Sequence, residues 1–371
     1  MSEEKDASIA SLRERLTAID HRVLELVAQR QALVEEIGRS KRSRGQQTRD
    51  FSREKDVIED AVACGGGLGL SAEMVETLMT LLIRSSLTTQ EQHRVVAEGR
   101  GGGRTALIIG GGGRMGRWFA DFLDSQGYRV SIADPSGAGA PYPARKDWRD
   151  GDLKEDMIVV AAPLVASGQI LEELARLHPP GLVFDVGSLK TPLRAGLGAL
   201  AAAGCRVASL HPMFGPDTRL LSGRHVIIVD AGCPEANREV SALFEATMAE
   251  RVEMSLQEHD RLMAFVLGLS HALNIAFFTA LADSGEDVPH LAALSSTTFD
   301  AQLDVCSKVA GENPELYFEI QSLNAHGVEA LAALEQSVTR LNEIIRSRDQ
   351  AGFVTLMERG RDYLERRRGA Q

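Results

Sequence analysis

Leu107 to Leu123 reads LIIGGGGRMGRWFADFL, and its three parts decide the architecture around it. A short β-branched run ends in glycines, and the glycines open onto apolar residues at helical spacing: strand, turn, helix. Gly111, Gly113 and Gly116 stand in G-x-G-x-x-G spacing, with Met115 inside the turn. Such glycines permit a tight turn and let backbone N–H groups approach a pyrophosphate, while the helix N-terminus supplies partial positive charge. Eighteen residues after Gly116, SIADP ends the next apolar run in Asp134. A carboxylate there accepts hydrogen bonds from an adenine ribose diol and repels a 2′-phosphate, which favours NAD over NADP. The competing reading is a glycine-rich turn that holds no ligand.

The same pattern extends outward. TALIIG (Thr105 to Gly110), YRVSIAD (Tyr128 to Asp134), DMIVVAA (Asp156 to Ala162), GLVFDVG (Gly181 to Gly187), CRVASLH (Cys205 to His211) and RHVIIVD (Arg224 to Asp230) are short apolar runs. Most are separated by helical patterns, so residues 105–254 are expected to form a doubly wound, Rossmann-like α/β domain. In front of it, EGRGGGR suggests a glycine-rich linker over residues 99–104. Residues 1–98 read as all helix. Ile9, Leu12, Leu16, Ile19, Val23, Leu26, Leu33 and Ile37 recur at steps of three and four, with one gap of seven. A second helix opens near Asp50 and runs towards Ala63, where GGGLGLS breaks it; a third runs from about Ala72 to Gln92. From about Glu235 the chain is again mostly helical, and residues 255–371 form a last helical unit with its longest stretches at Ser255 to Asp283 and Leu323 to Arg368. A chain of 371 residues is in any case too long for one ordinary core.

Composition narrows the classes. A formal charge of -11 and a pI near 5.4 argue against nucleic acid and other polyanions as general partners. The start, MSEEKDASIASLRERL, lacks a cationic-then-apolar signal, and no stretch approaches eighteen uninterrupted apolar residues, so a cytoplasmic chain without membrane contact is expected. Four cysteines, Cys64, Cys205, Cys233 and Cys306, are scattered without C-x-x-C or metal-ligand spacing. They read as reduced core thiols, and no metal is implied.

VASLHPMFGPD places His211 at the C-terminal end of a strand, where open α/β sheets bind substrate. A histidine there can take a proton from a substrate hydroxyl while hydride leaves the same carbon. A buried structural histidine is the rival reading. DVGSLK offers Ser188, to orient the imidazole or the nicotinamide amide, and Lys190, to attract an anionic substrate.

GGGGRMG, DVGSLK, LHPMFGPD and EHDRLMAF (Glu258 to Phe265) together resemble the ordered motifs of prephenate dehydrogenases, from about Thr105 to the end of the chain. The resemblance implies NAD-dependent oxidative decarboxylation of prephenate, with His211 on the substrate hydroxyl and Ser188 beside it. It also implies Lys190, His259, His271 and, more weakly, Asp217 in the substrate pocket. One departure stands out: where the family would place an arginine for the ring carboxylate, LSSTTFDAQLDVCSK carries Asp300. An aspartate facing a carboxylate in a dry pocket costs free energy.

The first hundred residues hold a second polar set. TRDFSREKDV puts Asp50, Arg53 and Glu54 at helical steps of three and four, and Ser86 and Gln90 are one turn apart. Arg30 and Lys41, eleven apart, share a face, whereas Arg13 lies about 100° away. Taken singly these are ordinary solvated faces. Together, LRERLTAIDHRVLELVAQRQALVEEIGRSK, RDFSRE and SSLTTQ resemble the all-helical class of chorismate mutase. That family's ligand positions fall on Arg13, Arg30, Lys41, Asp50, Arg53, Glu54, Ser86 and Gln90, in a fold where two chains intertwine and Arg13 reaches the partner's pocket. The three arginines suit carboxylates, Lys41 and Gln90 the ether oxygen where charge grows, and Glu54 the ring hydroxyl.

The expectation is therefore a bifunctional homodimer of tyrosine biosynthesis that acts on chorismate and then on prephenate, with NAD as cofactor and tyrosine as a candidate effector. Two alternatives remain: the same reactions on the 4-amino analogues, motivated by Asp300, and a helical domain that only senses a ligand.

Overall fold

A computed structural model describes residues 9–137 and 141–369; the reading of the N-terminal signal region rests partly on residues 1–8, outside that range. The N-terminal unit is α1 (Ile9–Ser43), α2 (Phe51–Gly67) and α3 (Ala72–Ala97). α2 and α3 start on side-chain caps: Asp50 accepts from the Arg53 N–H and Ser71 from the Met74 N–H. α1 continues past Ile37, which brings Lys41 onto the same rod as Arg30. Residues 9–26 of α1 are all exposed, its apolar stripe included, and only Val34 and Gly38 are buried, near α3. A helix with so much unburied apolar surface draws little stability from its own chain.

The segment between the helices and the sheet is not a free spacer. Gly101 and Gly103 donate backbone hydrogen bonds to the carbonyls of Gln126 (2.8 Å) and Gly127 (2.9 Å). A Cβ on Gly101 would come within 2.3 Å of that neighbouring backbone. Gly101 serves close approach, whereas Gly103 takes a left-handed backbone (φ 81°) with open space where a Cβ would stand.

The central unit runs β1 (Thr105–Ile109), α4 (Arg114–Ser125), β2 (Arg129–Ala133), β3 (Ala144–Arg145), β4 (Met157–Val160), α5 (Leu164–Leu177), β5 (Leu182–Asp185), α6 (Arg194–Ala202), β6 (Val207–Pro212), β7 (His225–Asp230), α7 (Pro234–Ala242) and β8 (Glu250–Ser255). Among the described residues, eight strands form one sheet in the order β3-β2-β1-β4-β5-β6-β7-β8. All six anticipated strands are present. Ala106 and Ile108 face one core with Phe119 and Phe244, while Leu107 and Ile109 face the other with Leu171 and Leu197, as period-two alternation requires.

Three details differ from the sequence reading. β7 lies antiparallel to β6, because residues 213–224 return without a crossover helix. β8 falls in a region expected to be helical; its ERVEMS sequence is largely exposed at the sheet edge and carries no apolar run. β3 is two residues long and equally unmarked.

The C-terminal unit contains α8 (Leu256–Met263), a π-turn at Ala264–Leu269, α9 (Ser270–Asp283), α10 (Val288–Ala293), α11 (Thr297–Ala310), α12 (Pro314–Ser322), α13 (Gly327–Ser347) and α14 (Gln350–Gly369). The expected single stretch from Leu323 is split at Arg348, which takes a left-handed conformation (φ 55°). Leu256–Asp283 is long and apolar enough by length and composition to cross a membrane, with a mean hydropathy of 1.7 in its best window. Ser270, His271 and Asn274 interrupt its apolar run without lowering the mean much. The four cysteines are free; Cys205 and Cys306 are buried, but Cys64 is exposed and Cys233 half-buried, so the core reading holds for two.

Candidate active sites

β1 and β4 are neighbours, with β2 on the far side of β1, so the strand order reverses between them and leaves a crevice at their carboxyl ends. The glycine turn fills that edge. A Cβ on Gly116 would sit 2.3 Å from the Gly110 carbonyl oxygen, and one on Gly112 would meet the Asp134 carboxylate at 2.6 Å. Gly112, an unassigned position in the motif, is thus about as constrained as Gly111 and Gly116, and more so than Gly113, whose Cβ would meet only the Gly110 carbonyl oxygen at 3.3 Å. Its N–H donates to Asp134 Oδ2 (3.0 Å), which fixes the carboxylate at the lip of the turn. Gly113 begins α4 without a side-chain cap, leaving the first N–H groups of the helix for an anionic ligand, and Met115 packs on the core beneath. The residues present fit a dinucleotide with a free ribose diol.

At the carboxyl ends of β5 and β6 lies a buried polar chain. His211 is 5% exposed and His259 fully buried. His211 Nδ1 is 2.8 Å from His259 Nε2, and His259 Nδ1 is 2.7 Å from Asp260 Oδ1. An ionised Asp260 can only accept, so His259 carries its proton on Nδ1 and offers Nε2 as acceptor. His211 must then donate from Nδ1, which leaves the Nε2 lone pair of His211 free as a base. Burial works to raise the Asp260 pKa, but hydrogen bonds from His259, from the Thr191 hydroxyl and from the Lys190 N–H outweigh it and hold it below its ordinary value. Burial pushes His211 well below the usual histidine range, with His259 and Lys190 adding to the shift; His259 is lowered too, chiefly by burial.

Lys190 does not serve as an anion attractor. It is fully buried, and its ammonium donates to Asp185 Oδ1 (2.6 Å) and to the carbonyls of Gly187 (2.8 Å) and Leu210 (2.8 Å). Three donors meet three acceptors, so nothing remains for substrate. Its backbone N–H also bonds Asp260 (2.8 Å), so Lys190 ties β5, β6 and α8 together behind His211. Ser188 is placed at the same edge with a buried hydroxyl that has no partner among the described residues. His271 is half-buried, stacked on Tyr317 at 4.2 Å between centroids, with Nδ1 unpartnered. Asp217 is exposed and paired with Arg114 (2.5 Å) at the glycine turn, away from the histidine chain. Asp300 is exposed in the first turn of α11, where the Ser295 hydroxyl donates to it.

Two predictions arise here. Asp260→Asn removes the obligatory acceptor and lets the His259 tautomer invert, so dehydrogenase kcat is expected to fall at least about tenfold with KM changed less; steady-state kinetics on the folded variant check this. Because His211 is held neutral, the unfolded chain binds more protons below the ordinary histidine pKa of 6.5. Stability is therefore present above that pH and is lost as pH falls from there towards the folded value. Thermal midpoints measured from pH 7.5 to 5 should decline, and less steeply in His211→Asn.

In the helical unit, the Arg30 guanidinium bonds the Ser86 hydroxyl and the Leu82 carbonyl (3.1 Å), joining α1 to α3, and burial lowers its pKa. Lys41 donates to the Thr48 carbonyl (2.9 Å), with further N–H groups to spare. Gln90 is buried, packed against Gly38, and its Oε1 lacks a partner. Arg30, Ser86 and Gln90 thus gather between α1 and α3, with Lys41 farther along α1 against the loop before α2. Not all of the set joins them: Asp50 caps α2 through one oxygen, and Asp50, Arg53 and Arg13 are exposed in the single chain. Asp50 and Arg53, expected among the mutase ligands, thus stand on the solvent side of the single chain at the start of α2. Glu54 is partly buried and forked by Arg49. Arg49, Asp260, Asp185 and Glu91 were not singled out by the sequence; only the His259-Asp260 dipeptide offered a signal.

Fold and site together define a dinucleotide-dependent dehydrogenase with a helical unit in front of it. Three family profiles match the chain: chorismate mutase type II over residues 12–91, the prephenate dehydrogenase nucleotide-binding domain over 138–251 and the prephenate dehydrogenase dimerization domain over 255–359. The T-protein of Enterobacter agglomerans is 27% identical over 359 residues, covering 95% of this chain and 92% of that one. The 4-amino-4-deoxyprephenate dehydrogenase of Streptomyces pristinaespiralis is 32% identical over 271 residues, 70% of this chain and 90% of that protein. A crystal structure of A. aeolicus prephenate dehydrogenase in complex with hydroxyphenyl propionate and NAD+ matches with a TM-score of 0.55 at 21% identity, covering 71% of this chain and 98% of that one, a likeness of fold. The chain belongs to the prephenate dehydrogenase family, in the form fused to a type II chorismate mutase domain.

Proposed function

We propose that the chain rearranges chorismate to prephenate in its helical unit and oxidises prephenate to 4-hydroxyphenylpyruvate in its dehydrogenase, as a cytoplasmic homodimer of tyrosine biosynthesis. The observation that carries this reading is the pairing of sites: the cations Arg30 and Lys41 with Ser86 and Gln90 on α1 and α3, and a proton-accepting histidine chain at the same sheet edge as a dinucleotide turn. The product of the first reaction is the substrate of the second.

The rearrangement breaks a C–O bond and makes a C–C bond without a covalent intermediate, so the pocket has to hold the compact conformer and stabilise charge at the ether oxygen. Arg30 can pair with a carboxylate, and Lys41 retains N–H groups for the ether oxygen. In the second reaction NAD, when bound, supplies the hydride acceptor. His211 Nε2 takes the hydroxyl proton as the ring carboxylate leaves as carbon dioxide, and the imidazolium so formed is balanced through His259 by Asp260. Ser188, with its unspent hydroxyl, is placed to orient a ligand group beside it.

The exposed stripe of α1 and the apolar faces of α9 support a dimer in which a second copy covers them; Arg13, far along α1, would then reach the partner's pocket. Tyrosine, as end product, is the natural effector to test.

A second reading, in which the 4-amino analogues are preferred, is supported by Asp300 in place of a cation and by the relative at 32% identity. Supplying chorismate with and without NAD, and then prephenate and its 4-amino counterpart separately, tests both. Prephenate accumulating without NAD and 4-hydroxyphenylpyruvate forming with it is the expected result; negligible turnover of prephenate beside rapid turnover of the amino analogue would overturn the first reading.

A further inference from the structure

We propose that Arg49 is a positioning residue of the mutase site and that the dehydrogenase domain holds it in place through Ser222, so that the two catalytic units share the loop that follows His211. The inference rests on the mutase reading of the helical unit.

Arg49 sits just before the α2 cap. Its Nε and Nη2 each meet one carboxylate oxygen of Glu54 at 2.9 Å, and Nη1 donates to the Ser222 hydroxyl at 2.6 Å, across 173 positions of sequence. Its guanidinium lies over the Phe51 ring at 4.0 Å. The Arg49–Glu54 pair is partly buried, at 29% and 19% side-chain exposure. A forked guanidinium fixes both the plane and the position of a carboxylate, which a single ammonium does not. Two of the carboxylate's roughly four lone-pair sites are used, so Glu54 can still accept a hydrogen bond from a substrate hydroxyl.

The neighbouring residue of the same loop grips the other wall of the pocket. Glu91, next to Gln90 on α3, is buried and accepts from the backbone N–H of Leu221 (2.8 Å) and of Met248 (2.5 Å). Leu221 and Ser222 therefore hold α3 and α2 at once. The loop they belong to leaves β6 directly after His211 and Pro212, and Trp118 of α4 pins it through the Thr218 carbonyl (2.9 Å). The dehydrogenase thereby sets where Glu54 stands.

The test uses full-length protein with Ser222→Ala, Ser222→Thr, Arg49→Gln and Arg49→Lys, reading mutase kcat and KM, dehydrogenase kinetics on prephenate and thermal midpoints. Arg49→Gln is expected to lower mutase kcat about tenfold or more, and Ser222→Ala about two- to fivefold, with smaller changes in KM. Ser222→Thr, which keeps the hydroxyl, should restore the wild-type rate, and Arg49→Lys should not. The double variant Arg49→Gln/Ser222→Ala should be no slower than Arg49→Gln, because the two act through one contact. Unchanged mutase kinetics in Ser222→Ala, losses that multiply in the double variant, or rescue by Arg49→Lys would each overturn the proposal. A wild-type chain without mutase activity would instead overturn the mutase reading, before any variant is compared.

Discussion

His211→Asn is expected to lower NAD-dependent oxidation of prephenate by about two to four orders of magnitude, the range a positioned general base contributes, while chorismate rearrangement proceeds at the wild-type rate. The proposed acceptor of the hydroxyl proton is the Nε2 of His211. That atom is available only because Asp260 and His259 hold the other ring nitrogen in the donor role. An asparagine keeps the polarity and approximate volume but accepts no proton. Burial alone would leave a histidine neutral and inert; the chain of two hydrogen bonds is what orients the lone pair. Oxidation within about tenfold of wild type in a folded variant would remove His211 as the base. Its neutral state also places the acid limb of kcat/KM below pH 6.5, since His211 is held under the ordinary value.

Arg30→Ala is expected to do the reverse, with mutase kcat/KM falling about a hundred- to a thousandfold and prephenate oxidation unaffected. Arg30 is half-buried and already held by Ser86 and the Leu82 carbonyl, so its charge is pre-aimed and little reorganisation is needed when a carboxylate arrives. Arg30→Lys should recover only part of the rate, because an ammonium cannot form the fork. The measurement is chorismate consumption against prephenate oxidation in the same preparation, with thermal midpoints to show that the α1–α3 contact survives. A mutase rate within a few-fold of wild type would mean that the site lies elsewhere.

Much of the architecture was legible without coordinates. Five of the six apolar strands, all but β2, are buried on both faces along most of their length, and such strands announce themselves as apolar runs. β3 and β8 were not legible, because exposed edge strands need no apolar pattern. The antiparallel turn of β7 was equally hidden: residues 213–224 look like a loop, and nothing in them says which way the next strand runs. Among site residues, His211 and the glycines could be read because their chemistry depends on strand ends and tight turns. Lys190 was misread because a lysine's burial is decided by what surrounds it, here Asp185 and two carbonyls from different segments.

The sequence by itself determined the order of three units, the dinucleotide turn with Asp134, the histidine at the end of β6, and the polar set on the first three helices. Local periodicity and backbone requirements are written in neighbouring residues. Only the tertiary structure decided which polar groups are spent on one another and which are left for ligands. It turned Lys190 into a strut and Asp50 into a cap, made Asp260 the origin of a proton-orienting chain, and set Arg49 between two domains. The physical reason is that a side chain's hydrogen-bonding capacity is small and exhaustible, and partners 70 or 173 positions away in the chain consume it.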